Sequence, residues 1–564
     1  MDALEARGYS RLDRGPTAIR PYLHRSGIYI FLISFACVYY LSNAPLLLGH
    51  YDLGWHLAAG DLIRYRGNIP FQDPWSFTLA DKQWYNLSWL WDVIASVLVQ
   101  YTGFSGLTLF VVASGAAIVG YLTSVCLSSG ASAIAVCISV FSACLLYPAF
   151  ATAPNIYLAA SPNTSTMLFC VIFYAECLKR TRCFLLPVFM VLWVNLHGGF
   201  LLGFLIIGIF CGAALLRRDW VNLRIYGFAA AGCFVAIFIN PLGWHIYDGV
   251  VATLGHFVQA YITEWWSYFS NMTVPGSIPG IIYISIFIAF ELERFRAKHA
   301  LGLDPRVETS SRQNKGVEPG FDSIKTEMAL GHRSSRPVPL ESRLLSWLFL
   351  FLGFYQFRYM SFFFIFSTVP LALHIDRLLP KQPDYLKIQG SLLAAGIIGV
   401  CALPLTFTQI EPALGLPQML SEQDALYLQS HFSHARILNH WNVGGILIFR
   451  TRGAVPVFVD GRAATAYPDP LLRDYFKLPE PEIDEAAWDT VLEKYQIDTV
   501  LWVKAHEELR RFLVDKRGWK EDYAGLYESI YVKPQRSPKP ISRLGAEGTT
   551  RNAMIDDGGS LSAR

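Results

Sequence analysis

Apolar stretches close to the length that crosses a hydrocarbon core recur along this chain from residue 27 to residue 405, and few carry a charge at their centre. No other feature limits the fold as much, because lipid offers backbone N–H and C=O groups no partner and the spanning segments must satisfy them internally. At ~20 residues per crossing, such runs imply a helical bundle. With 53% hydrophobic and only 16% charged residues, the chain is too apolar for an ordinary soluble protein.

Crossings are expected at 27–48, 106–127, 131–150, 164–180, 183–198, 199–216, 222–240, 277–295, 342–357, 358–375 and 386–406. That makes an α-helical polytopic membrane protein of about eleven spans. The first run is too long for a signal-peptide core and has no convincing cleavage site, so it is kept as an anchor. Residues 88–101 are short for a span and are assigned a helix at the membrane surface. Charge supports this choice. With it, the basic loops at Lys179, Arg180 and Arg182, at Arg217 and Arg218, at 294–298 and at 377–387 fall on the cytoplasmic side, as do Arg7, Arg11, Arg14, Arg20 and Arg25 before the first span. The net charge of +3 therefore reports orientation rather than a nucleic-acid partner.

The expected organisation is a cytoplasmic segment 1–26, a transmembrane domain 27–408 with a first outer loop at 49–105, an extracytoplasmic α/β domain 409–535 and a disordered tail 536–564. A polar stretch at 299–340, without apolar period, reads as a disordered cytoplasmic insertion. In the C-terminal domain, short apolar runs at 445–449, 455–459 and 499–503 alternate with a helix-like stretch at 485–495. The ten cysteines sit mostly in apolar runs without a CxxC pair and read as small packing residues.

Polar residues that could carry chemistry collect on the outer face. Asp52 lies where the first span should leave the membrane. If a helix starts there, Asp52 and His56 are four apart on one face. A carboxylate at a low-dielectric boundary suits a general base. The same residues also fit an N-cap aspartate before an interfacial helix, with Trp55 as a membrane-surface anchor. Asp73 precedes Pro74, where it either contacts a ligand or caps a turn. His197 ends an apolar run before Gly198 and Gly199, and either takes part in function or packs against a neighbouring helix. Arg358 falls between two apolar runs, where a charge needs a partner or must snorkel to headgroups. Asp460-Gly461-Arg462 follows an apolar run and either presents polar groups to a ligand or holds a turn by an internal ion pair.

The pattern D-x-x-WHLAxG from Asp52, then GxIPxxDxxSFT from Gly67, then the pair Trp89-Leu90, resembles bacterial integral-membrane glycosyltransferases of the GT-C superfamily, similar to the dolichyl-phosphate-mannose mannosyltransferases, in a largely uncharacterised subgroup. Trp193-Val194-Asn195-Leu196-His197-Gly198-Gly199, Asn240-Pro241-Leu242-Gly243-Trp244, Glu264-Trp265 and Phe458-Val459-Asp460-Gly461-Arg462 fit the same group. Two positions depart from it. Ser88 stands where relatives tend to carry an acid, and Ser161-Pro162 stands where they tend to carry Arg-Pro.

The resemblance implies a multi-span bundle in which Asp52 is the catalytic base. It also implies a polyprenyl-phosphate sugar as donor and a cell-envelope glycan, lipid or protein as acceptor. Substrate contacts are then expected from His56, Asp73, His197, Arg358, Trp55, Asp460 and Arg462. The Arg358 guanidinium would clamp the carrier's phosphate. Trp55, Trp75, Trp84, Trp89, Trp265 and Trp266 would offer stacking faces to sugar rings. A divalent cation, Mg or Mn, is an optional companion because the leaving group is already an activated phosphate. The implied location is the bacterial inner membrane with the N-terminus cytoplasmic. The alternative is a non-catalytic membrane protein that binds a glycan or an assembly partner through its C-terminal domain.

Overall fold

The computed structural model of the protein describes residues 20–42, 48, 50–79, 83–146, 159–262, 265–271, 278–300, 337–379, 420–478, 482–504, 506–525 and 528–534. The expected span 386–406, most of the insertion 299–340, the tail beyond residue 535 and Glu264 lie outside them. Among the described residues, helices occupy the other expected crossings: Arg20–Ser42, Trp89–Ser128, Ala133–Leu146, Asn163–Lys179, Leu186–Leu196, Leu201–Leu216, Trp220–Ile237, Ile278–Ala300, Leu340–Tyr355 and Met360–Leu378. Among the described residues four segments are individually long and apolar enough to cross a membrane: Trp89–Ser128, Gly198–Leu216, Trp220–Ile237 and Phe357–Leu378. The chain is a membrane protein built on a helical bundle.

The segment expected at the membrane surface and the crossing that follows it are joined in Trp89–Ser128, a helix broken at Gly103, whose φ of 65° and ψ of −170° leave helical space. Glycine tolerates this backbone without a Cβ clash, so the sequence supplies a joint between a short outer arm and the apolar run beyond it.

The buried side chains form two cores. The first lies inside the bundle and is rich in rings, among them Phe173, Trp193, Phe210 and Phe363. Hydroxyls tie its helices together. Tyr174 OH donates to Ser342 Oγ at 2.7 Å, Ser139 Oγ to the Thr368 carbonyl at 2.7 Å, and Tyr283 OH pairs with Ser367 Oγ at 2.8 Å. Where several helices end near the basic loops, Glu291 meets Arg343 at 2.5 Å and His374 at 3.0 Å, and Glu341 meets Arg217 at 2.6 Å. The described cysteines are all free, with Cys126 and Cys170 buried and Cys37, Cys137 and Cys211 half-buried.

The second core joins the loop after the first helix, expected at the outer face, to the C-terminal domain, so these distant stretches of chain share one apolar interior. The domain carries a four-stranded sheet in the order β1-β2-β4-β3, with β1 at Ile437–Asn439, β2 at Thr499–Val503, β3 at Lys520–Ala524 and β4 at Glu528–Val532. β1 and β2 are parallel and the remaining pairs antiparallel. The run at 499–503 is a strand as expected, and 485–495 holds the helix Glu485–Lys494. Residues 445–449 differ from the strand-like reading and belong to the helix Trp441–Arg450. The His440 side chain caps its start by accepting from the Asn442 N–H, and its small residues meet another helix at close range. Residues 455–459 form no strand of the sheet, and Val457 pairs with the loop after the first helix: Ser76 bridges Val457 in parallel, Val457 N donates to the Trp75 carbonyl at 3.1 Å and Phe77 N to the Val457 carbonyl at 3.3 Å.

Candidate functional site

The site is built around the helix Leu53–Arg66, which starts at Asp52 and ends at Gly67 with φ 70°. Two neighbours grip this helix through glycines. On one side, a Cβ at Gly54 would lie 2.5 Å from the Gly445 carbonyl oxygen of the helix Trp441–Arg450. On the other, a Cβ at Gly60 would lie 2.1 Å from the Asp92 carbonyl oxygen of the outer arm. Both distances are below any real contact, so close approach of backbones is what these glycines provide.

Asp52 is the N-cap residue, yet its side chain makes no capping hydrogen bond. The carboxylate, about a third exposed, lies 3.8 Å from His50 Nδ1, and the Asp52 N–H donates to that same nitrogen at 3.3 Å. Four residues on, His56 is buried, and its Nδ1 lies 2.6 Å from Asp92 Oδ1. Asn86 donates to the other Asp92 oxygen at 2.7 Å. The sequence reading missed Asp92 as a site residue. Its signal was a charge in the first turn of an apolar helix, which must find a partner. Ser88, at the position of the departure from the family pattern, bonds to Asn86 through both N–H and hydroxyl. The acid of this neighbourhood thus stands four residues later, at Asp92. Trp55 stacks on the His56 ring at 3.6 Å between centroids and is itself buried, with no hydrogen-bond partner for its Nε1 among the described residues. That burial differs from the surface anchor allowed by the sequence.

His197 caps the end of Leu186–Leu196 in the turn between two bundle helices, and its Nδ1 lies 2.7 Å from the Thr166 hydroxyl, which also accepts from Trp193 Nε1 at 2.9 Å. Arg358, half-buried in the short helix Phe357–Tyr359, stacks its guanidinium 3.9 Å from the Trp265 ring centre. Trp89 Nε1 donates to Asn195 Oδ1 at 2.9 Å, fastening the outer arm to the His197 turn.

Asp73, Asp460 and Arg462, expected to contact substrate, are brought together in a buried cluster instead. Arg462 Nη1 reaches Asp73 Oδ1 at 2.5 Å and Nη2 reaches Asp460 Oδ2 at 2.6 Å, with all three side chains at most 1% exposed. Tyr467 OH donates to Asp460 at 2.7 Å, and Ser76 Oγ lies 2.8 Å from that hydroxyl. Asp73 also caps its own turn, accepting from the Trp75 and Ser76 N–H groups. Burial opposes its charge, but the Arg462 guanidinium beside it outweighs burial and holds the Asp73 carboxyl below its usual range. Trp75 and Trp84 lie with their ring centres 4.9 Å from the guanidinium and are buried, so neither offers an open face to a sugar. Among the described residues no three His, Cys, Asp or Glu side chains converge as a metal ion would require.

Crystal structures of the archaeal oligosaccharyltransferase AglB from Archaeoglobus fulgidus align with this architecture. One, in complex with an inhibitory peptide and a dolichol-phosphate, matches with a TM-score of 0.51 over 92% of this chain and 75% of its own, at 12% identity. The apo form matches with a TM-score of 0.51 over 86% and 71%, also at 12% identity. The chain shares its fold with these oligosaccharyltransferase structures. ArnT from Cupriavidus metallidurans, bound to undecaprenyl phosphate, aligns over 93% of this chain and 99% of its own at 12% identity, with a TM-score of 0.44. No family model matches the sequence, and no curated protein matches it.

Proposed function

We propose that the protein transfers a sugar from a polyprenyl-phosphate donor to a cell-envelope acceptor at the outer face of a bacterial inner membrane, with Asp52 as general base. The observation that carries this reading is the state of the Asp52 carboxylate, which starts a helix without capping it and is partly open to solvent. In the transfer, Asp52 takes the proton from an acceptor hydroxyl while the oxygen lone pair forms a bond to the anomeric carbon. The bond from that carbon to the phosphate oxygen breaks, its electron pair leaves with the polyprenyl phosphate, and the configuration inverts. Arg358, stacked on Trp265, meets the charge that develops on the departing phosphate.

In the same reading, His56 supplies a polar edge to substrate and His197 contributes a hydrogen-bonding imidazole, each held by its own partner, Asp92 and Thr166. Asp73, Asp460 and Arg462 fasten the C-terminal domain to the outer loop. Mass spectrometry of surface glycans and lipid-linked sugars in a deletion strain tests the reading: the strain should lack one product and accumulate its lipid-linked precursor. Reintroducing the wild-type gene should restore the product, and an Asp52→Asn gene should not. Restoration at the normal level by Asp52→Asn would remove Asp52 from the mechanism.

A further inference from the structure

We infer that the Asp460-Gly461-Arg462 turn of the C-terminal domain positions the Asp52 carboxylate, so that the domain completes the transfer centre. This rests on the reading of Asp52 as base. Gly461 lies directly against that carboxylate: a Cβ there would be 1.7 Å from Asp52 Oδ1, 2.8 Å from Cγ and 3.4 Å from Oδ2. These are the three nearest atoms, and all belong to Asp52. The backbone does not demand a glycine, because Gly461 is absent from the glycines with positive φ. The one requirement for glycine visible at this position is the room taken by the acid.

The turn is also held where it is. Arg462 donates through Nε to Asp460 Oδ1 at 2.8 Å and through its backbone N–H to the same oxygen at 2.9 Å. Its other arm is paired with Asp73 of the outer loop. Behind the turn, a Cβ at Gly444 would lie 2.2 Å from the Val459 carbonyl oxygen and 2.8 Å from Asp460 Cβ, so the helix Trp441–Arg450 backs it without a gap. Asp52 thus faces a fixed wall of backbone that denies its side chain the conformers on that side. A confined carboxylate keeps its oxygens in one place for the acceptor hydroxyl, and misplacement by about 1 Å can cost roughly a hundredfold in rate.

The experiment uses the full-length protein in lipid vesicles with a polyprenyl-phosphate sugar, and compares Gly461→Ala, Asp52→Asn and Asp52→Ala together with Asp52→Ala/Gly461→Ala. Gly461→Ala should lower kcat roughly a hundredfold while KM for the donor stays put. Thermal melts should show that Gly461→Ala costs stability beside Asp52 but little in the Asp52→Ala background, where the colliding atoms are gone. If Gly461→Ala does not fold at all, rescue of folding by Asp52→Ala supports the inference and failure of rescue overturns it. An inactive Asp52→Asn with normal kcat in Gly461→Ala overturns the positioning role and leaves the base assignment standing. Equal melting losses in both backgrounds overturn it as well, since the change would then act on the domain rather than on Asp52. Normal transfer by Asp52→Asn removes the base, and the inference falls with it.

Discussion

In the bundle, rings such as Trp193 and Phe363 fill the space between helices and single hydroxyl contacts like Tyr283 to Ser367 cross it, while the ion pairs of Glu291 and Glu341 gather where helices end near the basic loops. The outer unit instead buries an arginine between two aspartates from opposite ends of the sequence and closes its helices glycine to glycine. The difference follows from the solvent. Lipid tails are as apolar as the side chains they contact, so bundle helices associate through packing and modest hydrogen bonds. The unit of loop and C-terminal domain lies beyond the apolar helices, where apolar burial drives assembly but does not choose one arrangement. Directional charge and close backbone contact make that choice, and they do so beside Asp52.

The largest expected effect comes from breaking the charge cluster. Arg462→Met leaves Asp73 and Asp460 buried without their cation, and should destabilise the outer unit by about 3–5 kcal/mol. Tryptophan fluorescence during urea unfolding reads this, and a loss below about 1 kcal/mol would mean that the cluster is not a fastening. The same cluster predicts an acid response. Because the folded Asp73 carboxyl is held below its ordinary 3.8, its contribution is fully present above that value and is lost as pH falls through the lower folded value. The outer unit should therefore loosen only under strong acid, and Arg462→Met should erase that response.

A smaller effect is expected at the helix contact. Gly54→Val forces side-chain atoms into the Gly445 carbonyl and should cost about 1–3 kcal/mol, read as faster proteolysis between the outer loop and the C-terminal domain. Smallest is Ser367→Ala in the bundle, expected at about 0.6 kcal/mol in a steric-trap measurement in lipid. A loss as large as that of Arg462→Met would abolish the contrast between the two regions.

The helices of the bundle were legible in the sequence because each is written locally, as one apolar run. The joint at Gly103 falls between the segment expected at the membrane surface and the next expected crossing. The outer unit was less legible because its defining contacts are remote. Arg462 and Asp73 are 389 residues apart, and His56 and Asp92 are 36 apart, and no local period links either pair. The apolar run at 445–449 is too short for periodicity to separate helix from strand, and packing of Gly445 against Gly54 favours the helix. For Asp460 and Arg462 the sequence left two readings open, a ligand contact or an internal ion pair, and their geometry is that of the ion pair extended to Asp73.

The most direct measurement is release of polyprenyl phosphate from a lipid-linked sugar by the purified protein in vesicles, wild type beside Asp52→Asn. The proposed chemistry predicts release by the wild type in the presence of acceptor, and a fall of roughly 10²–10⁴-fold in Asp52→Asn with unchanged thermal unfolding. Equal release by the two proteins would contradict it.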